Sequence, residues 1–359
     1  MSDNEQKPAT SEKPKKKRRG CLYWGLRIAA LLLLLLVIAG VAGFIYNQIE
    51  INNANRRFVA PGTVVQVNGR QMHILCLGEG EPTVVLESGG GSSSLDWRLV
   101  QQEVAGFTRV CSYDRAGYAW SEGLGGTTRS YDQLMGDLHA LLNATNIDGP
   151  IVLVGHSFGG LLVQRYANQY SEDVAGMVLV DSASVDLYSR MPQSIQTNQV
   201  AANQVFNGLS AAATLGIFRL LGDQAAGLLP NQFNQFPLEA QAAIREFSLY
   251  RGSYFQIARQ EAQLSANAAE SIQPITSLPN VPLLVITHGI GGDWIPPGPV
   301  SAEEVGAAEQ TWQTVQRELA SLTPDGEVIV AENSGHLIIL DEPEVVVDAI
   351  RRVVDEANE

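Results

Sequence analysis

Ser157 stands at the centre of Gly155-His156-Ser157-Phe158-Gly159, a G-x-S-x-G pentapeptide between the apolar run Ile151–Val154 and a helical pattern reaching about Tyr170. A serine on so tight a strand-to-helix turn has its hydroxyl lifted clear of the sheet, at the positive end of the next helix. The flanking glycines keep that turn free of clashing side chains. Serine is a weak nucleophile at neutral pH and needs a base. Five histidines are available. His73 falls in a strand pattern, His139 in a helical one, His156 adjoins the serine and points elsewhere, and His288 follows a strand. His336, in Asn333-Ser334-Gly335-His336, sits on a loop after the last strand, where the chain can return over the elbow. It is the expected general base.

A carboxylate must orient that imidazole and stabilise its charged form. Asp181 ends the strand Val178-Leu179-Val180, and Asp293 follows the next strand in Gly289-Ile290-Gly291-Gly292-Asp293. Both keep the chain order serine, acid, histidine, and spacing leaves both open. The oxyanion of acyl transfer needs two backbone N–H donors. Phe158, directly after the nucleophile, and Gly90, in Ser88-Gly89-Gly90-Gly91, are the expected pair. That glycine run is not a phosphate loop, because no G-K-[ST] follows it. No cluster of ligands at metal spacing occurs in the sequence, so neither metal nor other cofactor is expected.

These groups need a scaffold, and hydrophobic patterning supplies one. Thr63–Val67 and Met72–Leu77 flank Asn68-Gly69, a hairpin signal. Short apolar strands follow at Thr83–Glu87, Arg109–Tyr113, Ile151–Val154, Met177–Val180, Leu283–Thr287 and Glu327–Ala331, with helical patterns at Tyr131–Leu142 and Val345–Glu356. Strands alternating with helices predict an α/β protein, its mostly parallel sheet covered on both faces. Residues 185–276 break the rhythm. They are rich in Gln, Asn and Ala and helical in pattern. They read as an inserted helical unit whose aromatics mostly pack it against the sheet.

The stretches Val84–Gly91, Tyr113-Asp114-Arg115-Ala116-Gly117-Tyr118, Gly155–Gly160 and Ser334-Gly335-His336 together resemble the α/β-hydrolase superfamily over about residues 60–355. The resemblance implies an eight-stranded sheet, with a core of residues 62–184 and 277–359 and a helical cap, 185–276, after the sixth strand. Two departures stand out. Ser88-Gly89 replaces the usual H-G of the oxyanion loop. The turn Gly289–Asp293 is one residue longer than the usual acid-bearing turn, and Trp294 follows it. Some members carry the acid at the end of the sixth strand, which tips the choice slightly to Asp181. A serine nucleophile implies acyl chemistry on a small-molecule acyl substrate, as in esterases, lipases, thioesterases and amidases. Epoxide opening and halide displacement, which members run from an Asp, are disfavoured. Transfer to another acceptor and perhydrolysis use the same triad, and a catalytically silent binding or signalling domain is the alternative from another class. The family's strand order makes the second and fourth strands neighbours, so Cys76 and Cys111 are a candidate disulfide.

Charge divides the chain of 359 residues and net charge −14 into two unlike parts. Residues 1–27 carry a net +5 and the rest −19, with no Lys after Lys17. Between the basic run Lys15–Arg19 and the acidic part lies Ile28–Tyr46, which contains no charged residue and six consecutive leucines. Nineteen helical residues cover roughly 28 Å, close to a bilayer's hydrocarbon thickness. The expectation is a disordered cytoplasmic tail (1–27), a single transmembrane helix (28–46), a polar linker (47–61) and a catalytic domain outside the cytoplasm. A cleaved signal peptide is the competing reading, but Gly40-Val41-Ala42 is a poor cleavage site. The acidic balance argues against nucleic acid as a partner.

Overall fold

The computed structural model describes residues 20–126 and 128–359, so most of the expected tail lies outside the described residues. Helix α1 (Cys21–Arg57) comes first. It starts within the stretch expected as tail and does not stop at Tyr46. The expected linker, 47–61, is helical as far as Arg57, because its side chains are held: Asn47, Ala54 and Phe58 are buried against the rest of the protein. At 1.5 Å per residue its 37 residues run for about 55 Å. Among the described residues it is the one helix long and apolar enough to cross a membrane, with a mean hydropathy of 3.0 over its most apolar window.

Strands β1 (Thr63–Val67) and β2 (Arg70–Leu77) form the hairpin. Its two-residue turn needs positive φ twice, and Asn68 (49°) and Gly69 (81°) supply it. The sheet continues with β3 (Val84–Glu87), β4 (Val110–Tyr113), β5 (Ile151–His156), β6 (Val174–Val180), β7 (Leu283–His288) and β8 (Glu327–Ala331). The eight strands lie in the order β1-β2-β4-β3-β5-β6-β7-β8. β2 is antiparallel to both β1 and β4, and every other pairing is parallel. Cys76 on β2 lies directly opposite Cys111 on β4, and the two are joined by a disulfide.

The central strands are buried throughout except at the half-buried Ala175, and alternate residues feed opposite cores. Val85, Leu153, Leu179 and Val285 face α3 (Tyr131–Ala144), α4 (Phe158–Gln169) and α11 (Ala302–Ala320). Leu86, Val154, Val178 and Ile286 face α2 (Arg98–Val104), α12 (Ile338–Asp341) and α13 (Pro343–Ala357). Burial on two faces is why these strands read as continuous apolar runs.

Between β6 and β7 come α5 (Gln193–Thr214), α6 (Ile217–Leu221), α7 (Asp223–Ala226), α8 (Leu238–Ile244), α9 (Gly252–Ala266) and α10 (Ala268–Ser271). They have a small core of their own around Ala213, Phe218, Leu249 and Phe255.

Candidate active site

The turn from β5 into α4 places Ser157 at φ 54° and ψ −120°. A non-glycine residue there is strained, and the surrounding glycines show what makes the turn feasible. A Cβ on Gly155 would lie 2.6 Å from the carbonyl oxygen of Gly159, and one on Gly159 would lie 2.5 Å from that of Glu87. The pentapeptide pattern is therefore a packing requirement of this turn.

His336, on the loop between β8 and α12, bridges two side chains. Its Nε2 is 2.9 Å from Ser157 Oγ, and its Nδ1–H donates to Asp181 Oδ2 at 2.6 Å. Asp181 follows β6 directly, with φ 44°. It is fully buried and takes hydrogen bonds from more than His336. Trp312 Nε1–H donates to its Oδ1 at 2.8 Å, as does the His288 backbone N–H at 3.2 Å. His288 Nδ1–H donates to Oδ2 at 2.8 Å. Burial opposes the charge of Asp181, yet the hydrogen bonds and charges of His288 and His336 hold its carboxyl well below the usual carboxylate range.

Asp293 takes a different place. Both its carboxylate oxygens accept from the backbone N–H of His336, at 3.1 and 3.0 Å. Gly335 makes room for this, since a Cβ there would lie 2.2 Å from Asp293 Oδ2. Asp293 thus holds the loop that carries the imidazole, and Asp181 holds the imidazole itself. His156 also props that loop, with Nε2–H donating to the His336 carbonyl at 2.9 Å. Burial and the neighbouring His336 push the His156 imidazole down to about 4, so it stays neutral at physiological pH.

His288 is sandwiched between carboxylates, with Nε2–H donating to Glu309 Oε2 at 2.9 Å opposite its contact with Asp181. Donating from both nitrogens requires the imidazolium form. Burial opposes that charge, but the bonds to Asp181 and Glu309 prevail and push the group up to about 10. Glu309 also accepts from Gly292 N–H (2.7 Å) and Trp294 Nε1–H (2.6 Å), which ties the loop of Asp293 to α11.

Phe158 is the first residue of α4, so its N–H has no acceptor within the helix. Gly90 lies against it: a Cβ on Gly90 would be 3.6 Å from Phe158 Cβ. A Cβ on Gly89 would come within 2.9 Å of His156 and 3.4 Å of Ser157 Cβ. The glycine loop that carries Gly90 therefore packs directly against the turn that carries Ser157 and Phe158. Arg115, almost fully buried, holds the glycine loop from behind. Its guanidinium donates to the carbonyls of Ser88 and Gly89, both at 2.6 Å, and to Glu87 at 2.6 Å. It also makes a two-pronged bond to Glu261 on α9, at 2.9 Å for each prong. Glu261 in turn accepts from Gly91 N–H (3.2 Å) and Tyr118 OH (2.8 Å). The Arg115 guanidinium is the main reason the buried Glu261 carboxyl stays below its ordinary range.

A cavity of about 340 Å³ opens from this loop, between Gly90, Gly91 and Leu337 on one side and Phe206, Leu229 and Tyr254 of the insertion on the other. Its walls are mostly apolar, as an acyl group requires. Several of the insertion's aromatics therefore line a cavity as well as packing. Among the described residues no three His, Cys, Asp or Glu side chains converge as a metal ion requires.

Five participants lay outside the expected set: His288, Glu309, Trp312, Arg115 and Glu261. One signal existed for His288: it ends a strand adjacent to the strand that Asp181 follows. Nothing local marked Glu261, which lies 146 residues from Arg115.

The family model for the alpha/beta hydrolase family matches residues 84–349. The uncharacterized protein YqjL of Bacillus subtilis is 27% identical over 264 residues, covering 74% of this chain and 80% of that protein. Among solved structures, a thermophilic esterase from Thermogutta terrifontis superposes with a TM-score of 0.55 at 22% identity, covering 83% of this chain and all of the esterase. The enol-lactonase of Burkholderia xenovorans LB400 gives 0.57 at 19% identity, covering 82% of this chain and all of the lactonase. At such identities the structural likeness concerns the fold.

Proposed function

Since this chain belongs to the alpha/beta hydrolase family, we propose that it is a serine hydrolase of carboxylic esters, tethered to a membrane by α1 with its catalytic domain outside the cytoplasm. The observation that carries the chemistry is the bridging position of His336, 2.9 Å from Ser157 Oγ and 2.6 Å from Asp181.

Ser157 Oγ attacks the ester carbonyl carbon while His336 Nε2 takes its proton. The carbonyl oxygen gains negative charge and is met by the N–H groups of Phe158 and Gly90. Asp181 keeps Nδ1 protonated, so that Nε2 is the basic nitrogen, and stabilises the imidazolium. As the tetrahedral species collapses, His336 gives the proton to the departing alkoxide and an acyl-Ser157 ester remains. Water, deprotonated by the same Nε2, then attacks that ester. A second tetrahedral species releases the acid, and the proton returns to Ser157 Oγ.

The orientation is supported by the basic run that precedes Ile28–Tyr46. It is also supported by the Cys76–Cys111 disulfide, since such bonds persist in oxidising surroundings. A fluorophosphonate probe tests the chemistry. Labelling at Ser157 that disappears in Ser157→Ala is expected; absence of labelling together with no turnover across an ester panel overturns the enzyme reading. Protease shaving of intact cells tests topology. Digestion of the carboxy-terminal domain without lysis is expected, and its protection until lysis reverses the orientation.

A further inference from the structure

The outer end of α1 does not stand away from the hydrolase domain. At Gly43, where a Cβ would lie 2.4 Å from the Leu215 carbonyl oxygen, the backbone of the insertion rests directly on the helix. Gly216 makes the reciprocal approach, with φ 72° and only 3.0 Å between a built Cβ and the Gly43 carbonyl oxygen. One turn on, Asn47 is wholly buried and locks the contact. Its Nδ2 donates to Ala213 O at 2.9 Å, and its Oδ1 accepts from Arg219 Nε at 2.9 Å.

This contact sets a depth. Gly43 and Gly40 precede Tyr46 by three and six residues, so they lie about 5 and 9 Å inside the outer end of the uncharged stretch. Leu215, level with them, is therefore at hydrocarbon depth if Ile28–Tyr46 spans the bilayer. The neighbouring α6 is built to match. Arg219 turns inward and pairs with Glu246 at 2.9 and 3.0 Å, and Phe218 enters the insertion's core. What remains outward is apolar: Leu215, Ile217, Leu220 and Leu221 are 38, 42, 72 and 45% exposed. Asp223, next to Arg245, marks the polar edge. Seven residues beyond Leu221, Leu228 is exposed and also lines the cavity above the oxyanion loop.

We propose that Leu215, Ile217, Leu220 and Leu221 form a docking surface seated in the outer leaflet of the bilayer that α1 spans, and that acyl substrates enter the cavity from that leaflet past Leu228. Large exposed aliphatic residues on a soluble surface otherwise cost free energy in water, whereas a leaflet interface accepts them at a depth of about 5–10 Å. The proposal rests on the reading of α1 as a membrane anchor. It names the substrate class as esters dissolved in a membrane.

The full chain, carrying Cys21→Ser, is reconstituted in phosphatidylcholine vesicles containing lipid spin-labelled near the top of the acyl chain. An environment-sensitive fluorophore is attached at Leu220→Cys, at Ile38→Cys within the anchor, or at Arg352→Cys on α13. Strong quenching at 220 and 38 with none at 352 is the expected result. Quenching at 38 without quenching at 220 overturns the docking surface and leaves the anchor standing. No quenching at 38 removes the anchor, and the docking surface with it. The double variant Leu220→Asp/Leu221→Asp is expected to hydrolyse p-nitrophenyl butyrate in solution as the parent does. On a methylumbelliferyl oleate substrate held in vesicles it should lose about tenfold. No loss on the vesicle substrate overturns entry from the leaflet. A parent protein that hydrolyses neither ester refutes the hydrolase reading instead.

Discussion

His288 and His336 are bound to the same carboxylate oxygen, Oδ2 of Asp181, at 2.8 and 2.6 Å. The first is held as an imidazolium between Asp181 and Glu309, while the second faces Ser157 Oγ. Glu309 offsets the positive charge of His288, so the negative charge of Asp181 stays available to stabilise the imidazolium that forms on His336 during the reaction. Replacing Glu309 by Gln should therefore lower kcat by about tenfold, with little change in KM. An unchanged kcat would show that Glu309 serves only to hold its loop.

The two aspartates should separate cleanly. Asp181→Asn removes the acceptor that sets the tautomer of His336 and should cost about 10⁴-fold in kcat. Asp293→Asn still offers an amide oxygen to the His336 backbone N–H and should cost less than about tenfold. Steady-state kinetics on one chromogenic ester decides between them, and the reverse ranking would move the triad acid to Asp293.

Stability should fall at alkaline pH for an identifiable reason. His288 is raised to about 10 from an ordinary value of 6.5. Its contribution is thus complete below about 6.5 and is lost as pH climbs through 10. Between those values the folded state holds one more proton at this site than the unfolded state. The unfolding free energy from this group then declines by about 1.4 kcal/mol per pH unit. Denaturant titrations from pH 7 to 10 should show this decline, and the slope should be shallower in His288→Gln.

Glu261 joins the insertion to the oxyanion loop through Arg115, and both side chains are buried. Glu261→Ala leaves the guanidinium without its two-pronged partner and should destabilise the fold by about 3–5 kcal/mol. At denaturant concentrations where the variant is still folded, kcat should also drop, because the carbonyls of Ser88 and Gly89 lose their fixed clamp. Full kcat in the folded variant would confine Glu261 to a structural role.

The Cys76–Cys111 bond closes a chain segment with a sequence separation of 35. On the chain-entropy account, a Cys76→Ser/Cys111→Ser variant should lose about 3–4 kcal/mol of stability. Urea unfolding under oxidising and reducing conditions measures this, and identical midpoints for the parent in both conditions would count against it.

Much of this molecule follows from local physics. A turn as tight as the one at Ser157 accepts only glycine at 155 and 159, so its chemistry is written in five adjacent residues. Strands buried on both faces must be apolar throughout, and Asn68-Gly69 meets the φ demands of a hairpin, so the strands and their fold class were legible too. The same holds for Ile28–Tyr46, whose lack of charge needs no tertiary partner to be read. Other features depend on convergence of distant chain. Asp181 and Asp293 are equivalent by spacing, and only the adjacency of β6 and β7 with the return of the His336 loop assigns one to the imidazole and the other to the backbone. His288 gains its charge from Glu309 on a separate helix, and Arg115 finds Glu261 across 146 residues. The extension of α1 past Tyr46 likewise depends on Ala213 and Arg219, which hold Asn47 and lie far along the chain. Backbone conformation and burial period are local properties and leave a mark in adjacent residues. Hydrogen-bond partners and electrostatic environments are set by which surfaces meet, and those are decided when the chain packs.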